Sequence, residues 1–158
     1  MKKINKMNIA IIGLGNIGSF LFKYLKKNKK ILSKKNNCIP NVIFLSAKNR
    51  NKKRGFKINN KMWLKNYLSA TKSSKVDIII ELIGGAEGPA KRLVFEALKN
   101  KKHVVTANKA LIAKYGNQLS EIAEKNKVNL EFEASVCGGV PIIRSLKEVL
   151  LISIEDKT

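Results

Sequence analysis

Acidic residues are missing from the first half of this chain. Residues 1–76 contain no Asp and no Glu, Asp77 is the first acid, and all eleven acids of the 158 residues lie from there onward. Set against 32 Lys and Arg, they leave a formal charge of +21. Cysteine is scarce too. Cys38 and Cys137 form no C-x-x-C, and with no secretory signal they read as reduced thiols. Long apolar runs are absent: the basic start MKKINKMN leads into a short apolar stretch that ends at Gly13. Nothing approaches the roughly 20 apolar residues of a membrane span. The chain reads as cytoplasmic, with no membrane partner. Its length fits one domain, and such a domain buries roughly 70% of its unfolded surface.

The charge offers two explanations. Phosphate contacts with a nucleic acid would use such a surface. A Lys/Asn/Ile-rich composition explains it as well, and the lysines are scattered over all expected elements. Basic runs such as Lys48–Arg54 carry no interleaved aromatic platform. The scatter argues against nucleic acid as the partner.

What is present is an alternation of apolar strand-length runs and helical spacings. Met7–Ile12 is short enough for a buried strand, and Ile17, Phe20, Leu21, Tyr24 and Leu25 then recur at helical spacing over Asn16–Lys27. Asn28–Pro40 is polar and basic, which predicts a loop or fraying helix end. Asn41–Ala47 predicts a second strand, and Met62–Ala70 a short helix. Asp77–Leu82, with three consecutive isoleucines, predicts a buried strand ended by Gly84-Gly85. Pro89 suits the first turn of the next helix, which runs to about Asn100. His103–Thr106 predicts a strand, Ala110–Lys125 a helix broken around Tyr115-Gly116, Leu130–Ala134 a strand and Ile142–Leu150 a helix. Such alternation predicts an α/β fold: a Rossmann-like, doubly wound, mostly parallel sheet with helices on both faces. Met7–Ile12 should lie beside Asp77–Leu82, so that Gly13–Gly18 and Gly84-Gly85 meet at one sheet edge.

The first strand–turn–helix carries Gly13-Leu14-Gly15-Asn16-Ile17-Gly18, a G-x-G-x-x-G in its proper context. Gly13 permits a tight turn, Gly15 close approach of a pyrophosphate, and Gly18 close packing of the helix, whose positive end faces the phosphates. A fold that prefers NAD places an acid about 20 residues on, at the end of the second strand. Here that position reads Ala47-Lys48-Asn49-Arg50. Lys48 and Arg50 stand where a 2′-phosphate would be, which favours NADP(H) over NAD(H). Further loops at strand ends hold Gly84 and Gly85, then Thr106-Ala107-Asn108-Lys109, then Glu133–Pro141.

Taken together, Gly13–Gly18, Glu81–Gly85, VVTANKALIA (Val104–Ala113) and EFEASVCGGVPIIRSL (Glu131–Leu146) resemble homoserine dehydrogenase, from Ile9 to about Glu148. The last two motifs are specific, whereas the glycine fingerprint is shared by many dehydrogenases. That family interconverts aspartate 4-semialdehyde and homoserine with NAD(P)H, on the route to threonine and methionine, and its full-length members are homo-oligomers. The resemblance implies that Gly13, Gly15, Asn16, Ile17 and Gly18 form the dinucleotide turn. It also implies that Thr106 and Asn108 line the cofactor and that Lys109 lies beside nicotinamide and substrate. Glu133, Val136, Gly138 and Val140 fall on the family's loop for a monovalent cation, Na⁺ or K⁺, held largely by backbone carbonyls. The chemistry suits Lys109: hydride addition to an aldehyde creates an alkoxide, which needs an electrostatic partner and a proton.

Two other readings stay open. Cys137 could be the nucleophile of a Cys-dependent aldehyde dehydrogenase, but that needs a histidine partner, and the single His103 opens a strand. An NADP-binding regulatory or nucleic-acid-binding domain is the non-enzyme alternative. The resemblance ends at Val149. The expected organisation is an NAD(P)-binding domain over residues 1–148 and a divergent tail over 149–158, without the family's substrate and dimerisation domain. Val149–Ile152 would then be partly exposed.

Overall fold

The computed structural model describes residues 5–36, 38–132, 144, 146, 148 and 149. The elements run β1 (Asn5–Ile12), α1 (Asn16–Asn36), β2 (Cys38–Ser46), α2 (Ser69–Lys72), β3 (Ile78–Glu81), α3 (Pro89–Lys99), β4 (His103–Thr106), α4 (Lys109–Asn126) and β5 (Leu130–Glu131), with a 3₁₀ turn at Asn60–Met62 before α2. All strand pairs are parallel, in the order β2-β1-β3-β4-β5. β1 therefore lies between β2 and β3, as the apolar runs and the glycine motif require. Ile9 pairs with Ile78 and Ile12 with Glu81. The chain leaves β1 on one side and returns through β3 on the other. This reversal of strand order opens a crevice at the carboxyl edge.

Strand alternation divides the core into two layers. Ile9, Ile11, Ile78, Ile80 and Val105 face Leu21, Phe22, Leu25 and Leu32 of α1. Ala10, Ile12, Ile79 and Val104 face Leu93, Val94, Ala97 and Leu98 of α3 and Leu111, Leu119 and Ala123 of α4. The sheet is thus covered on both faces, which is why β3 reads as an unbroken isoleucine run. Arg144, Leu146, Glu148 and Val149 are helical. Leu146 and Val149 join the α1 layer, and Val149 is fully buried. This corrects the expected exposure at Val149: its side chain is covered by the α1 layer. Leu150–Ile152 and the rest of the expected tail, to Thr158, lie outside the described residues.

Several elements differ from the sequence expectation. Helix α1 continues to Asn36 because Leu32, seven residues beyond Leu25, returns to the buried face, and lysine is a good helix former. Pro40 stands inside β2 rather than in a loop; β2 is the edge strand of the described sheet, where a missing N–H is tolerated. Helix α4 runs through Gly116 unbroken. One helical glycine costs only about 1 kcal/mol, and buried Leu111, Leu119 and Ala123 hold the helix on both sides of it. The expected helix at Met62–Ala70 resolves into the 3₁₀ turn and the single turn of α2.

Candidate functional site

The carboxyl edge of β1 is shaped by side chains that cannot be there. Gly13 has φ +106°, and a Cβ on it would stand 2.4 Å from the Leu82 carbonyl carbon and oxygen. A Cβ on Gly18 would stand 2.0 Å from the Gly13 carbonyl oxygen. The third glycine of the motif is therefore closed down on the turn itself. Gly15 is the opposite case, with nothing within 4 Å of where its Cβ would be. The first helical bond of α1 runs from Ser19 N to Gly15 O at 3.0 Å. The N–H groups of Asn16, Ile17 and Gly18 thus have no acceptor within the helix, and no acid stands in the first turn. Open space beside Gly15, N–H donors outside the helical ladder and the positive helix end fit an anionic phosphate group.

The end of β2 is tied to this turn: Gly13 N donates to Ser46 O at 2.8 Å, and Ser46 Oγ donates to Leu64 O at 3.0 Å. Beyond it, Lys48 and Arg50 are exposed. Arg50 lies over the Trp63 ring, 5.7 Å from its centroid, and its guanidinium donates to Asn60 Oδ1. Asp77, the first acid of the chain, sits at the opposite edge, where its Oδ2 accepts from Asn8 N at 2.8 Å. No carboxylate from residues 1–77 can therefore meet a ribose at the end of β2.

The loops after β3 and β4 are joined by a buried network that sequence reasoning missed. Glu81, fully buried at the end of β3, accepts from Ile83 N at 2.6 Å and Gly84 N at 3.1 Å through Oε1. Its Oε2 accepts from the Thr106 hydroxyl. Thr106 Oγ1 accepts from Asn108 N at 3.1 Å. The Asn108 amide donates to Gly85 O at 2.6 Å, and its Oδ1 accepts from Leu111 N at 3.1 Å, capping α4. Gly84, Gly85, Thr106 and Asn108, all predicted site residues, thus belong to one hydrogen-bonded unit. Glu81 appeared in a resemblance motif, but only its burial shows that it organises both loops. Lys109 follows the cap as the first residue of α4 and is exposed at the same edge.

Around the far side of the glycine loop, Glu87 takes part in an exposed cluster. Lys114 Nζ approaches Glu87 Oε1 at 2.7 Å, Lys91 Nζ approaches Oε2 at 3.3 Å, and Tyr115 donates its hydroxyl to the same carboxylate. The Lys114 and Tyr115 hydrogen bonds hold the Glu87 carboxyl down at about 2. Lys91 is raised chiefly by its bond to Tyr115, and Lys114 by its bond to Glu87. These contacts fasten the β3–α3 loop to α4.

His103 serves the sheet: its Nδ1 accepts from Asn129 N at 3.1 Å, at the entry to β5. Glu133, Val136, Cys137, Gly138 and Val140 lie outside the described residues. No helix among the described residues is long and apolar enough to cross a membrane.

A reversal of strand order at β1, a glycine turn at that crevice and first-turn N–H groups outside the helical ladder around an open Gly15 define a dinucleotide-binding domain of the doubly wound α/β class. Comparison with known proteins narrows this. Residues 13–133 match the family model "Homoserine dehydrogenase, NAD binding domain". The chain is 36% identical over 144 residues to the homoserine dehydrogenase of Bacillus subtilis, covering 91% of this chain and 33% of that protein. A solved homoserine dehydrogenase from Thiobacillus denitrificans superposes with TM-score 0.80 at 34% identity, over 92% of this chain and 33% of that one. The Staphylococcus aureus enzyme at pH 7.5 gives 0.76 at 36% identity, over 84% and 34%. The chain belongs to the homoserine dehydrogenase family and corresponds to its NAD-binding domain. It spans about a third of the length of the relatives it matches.

Proposed function

We propose that this chain is the cofactor-binding part of a homoserine dehydrogenase, serving the interconversion of aspartate 4-semialdehyde and homoserine in threonine and methionine synthesis, and that it takes NADP(H) in preference to NAD(H). The observation that carries the reading is the glycine turn with its open Gly15 beside a β2 end without an acid. The Asn16, Ile17 and Gly18 N–H groups would hold the pyrophosphate. Lys48 and Arg50 would meet the 2′-phosphate, a charge-assisted contact of roughly 1.5–3 kcal/mol, or one to two decades of affinity. Gly84, Gly85, Thr106 and Asn108 would support the nicotinamide riboside.

When bound, the nicotinamide supplies or accepts the hydride. Lys109, exposed at the same edge, would stabilise the alkoxide oxygen of the substrate and deliver its proton. Glu133, Val136, Gly138 and Val140 would form a Na⁺ or K⁺ loop, a role resting on the resemblance alone. Hydride transfer also requires the aldehyde carbon within roughly 3–3.5 Å of the ring, and such positioning supplies about 7–11 kcal/mol of the barrier. The resemblance assigns much of that task to the part of the family this chain does not match. The 158 residues alone should therefore show no appreciable homoserine oxidation. The assignment of residues 1–148 to one cofactor domain belongs to the same proposal, and Val149, packed in the α1 layer, goes with it.

Titration calorimetry with NADPH and NADH tests the cofactor choice. Wild type should favour NADPH by about tenfold or more, and Lys48→Glu with Arg50→Glu should narrow or reverse the ratio. Equal affinities before and after mutation would remove Lys48 and Arg50 from the site. An assay of NADP-dependent homoserine oxidation, with Lys109→Ala as control, tests the catalytic statement; robust turnover lost in that variant would show that these residues suffice.

A further inference from the structure

The segment from Ala47 to Gly55 carries Lys48, Arg50, Lys52, Lys53 and Arg54 and forms no helix or strand of its own. Five cations so close together repel one another, and the segment needs something to hold it. Arg54 does so. Its Nε donates to Leu14 O at 3.0 Å, across 40 residues of sequence, into the glycine turn. Its Nη1 donates to Arg50 O at 3.1 Å and Lys52 O at 2.8 Å, and its Nη2 donates to Asn49 O. Four of the five guanidinium N–H donors are thereby committed to backbone carbonyls. The loop's far end is anchored separately: the Phe56 ring packs 4.9 Å from that of Phe22 on α1, with Lys23 Nζ 6.0 Å above it. Between the loop and the glycine turn lies a cleft of about 350 Å³, lined among others by Gly15, Asn16, Lys23, Lys52, Lys53 and Arg54 and, among the described residues, by no acid.

We propose that Arg54 is a positioning residue for cofactor discrimination: its guanidinium clasps the Lys48–Lys53 loop to the Leu14 carbonyl and holds the loop's cations beside the dinucleotide turn. This rests on the reading of the chain as an NADP(H)-binding domain. With four donors spent on carbonyls, Arg54 is poorly placed for a two-pronged grip on phosphate. What it contributes is the position of its neighbours, together with a fixed charge at the cleft. A lysine would keep the charge and lose the fork. The separation of geometry from charge therefore falls on one substitution.

The test uses the full chain and Arg54→Lys. Hydrogen exchange of amides 49–53 without cofactor reads the clasp, and calorimetry with NADPH and NADH reads discrimination. Thermal melting checks that the fold is intact. The expected result is exchange about tenfold faster at those amides, NADPH affinity lower by about tenfold and NADH affinity changed by less than about twofold. Unchanged exchange would overturn the clasp. Equal weakening of NADPH and NADH would overturn the role in discrimination. A wild-type chain that binds neither cofactor would overturn the functional reading, and the specificity role with it, while the exchange result would still decide the clasp. Should Arg54→Lys melt well below wild type, Lys52→Gln with Lys53→Gln leaves the clasp's carbonyls in place; it should lower NADPH affinity without speeding loop exchange, and unaltered NADPH affinity would contradict the proposal.

Discussion

The two halves of the carboxyl edge are built by opposite means. At the end of β1, the turn depends on side chains that are absent: a methyl group on Gly13 or Gly18 would overlap backbone atoms. At the ends of β3 and β4, the loops depend on one side chain that is present, the buried carboxylate of Glu81, with Thr106 and Asn108 behind it. The first half is rigid because nothing else fits. The second is held by polar groups that keep their strength only while every donor and acceptor is matched.

Breaking the steric half should cost most. Gly18→Ala drives a Cβ into the Gly13 carbonyl and is expected to lower stability by about 3 kcal/mol, measured by urea unfolding. Gly15→Ala, with open space at the same motif, should stay within about 0.5 kcal/mol of wild type. Similar losses at both positions would erase the distinction between a packing glycine and a ligand-facing one.

The polar half should yield in smaller steps. Glu81→Gln keeps the shape but removes the charge from three hydrogen bonds, and about 2 kcal/mol should be lost. Asn108→Ala removes the cap of α4 and its link to Gly85, at about 1 kcal/mol. If Glu81→Gln proves neutral in urea unfolding, the junction is not held by its carboxylate.

The smallest effect belongs to the exposed Glu87 cluster. Because the folded carboxyl titrates at about 2, below its ordinary 4.5, its contribution is present above pH 4.5 and is lost as the pH falls through about 2. The difference in melting temperature between wild type and Glu87→Gln should therefore be small and positive near pH 6 and vanish toward pH 2. Added salt should shrink it as well, since the cluster is exposed. A difference that persists at pH 2 would place the effect elsewhere.

The same contrast explains what could be read from the sequence. Gly13, Gly15 and Gly18 keep a fixed spacing between an apolar run and a helical one, and the isoleucines of β3 announce a strand covered on both faces. The adjacency of β1 and β3 followed from these. Glu81 and Arg54 carry no such signal. An acid at a strand end and one arginine among 32 basic residues acquire meaning only through the atoms they meet. The length of α1 was hidden because lysines that form good helices also resemble a loop. The interruption expected at Gly116 was overridden by packing along α4.

The decisive contrast is that the open Cα side of Gly15 faces a bound dinucleotide while that of Gly18 is closed by the Gly13 carbonyl. Titrating NADPH into the wild-type chain and into Gly15→Val, with melting curves for both, tests it most directly. Wild type should show saturable one-to-one binding, and the variant should lose at least about tenfold in affinity with little change in its melting temperature. Undiminished NADPH binding by a stably folded Gly15→Val chain would contradict it.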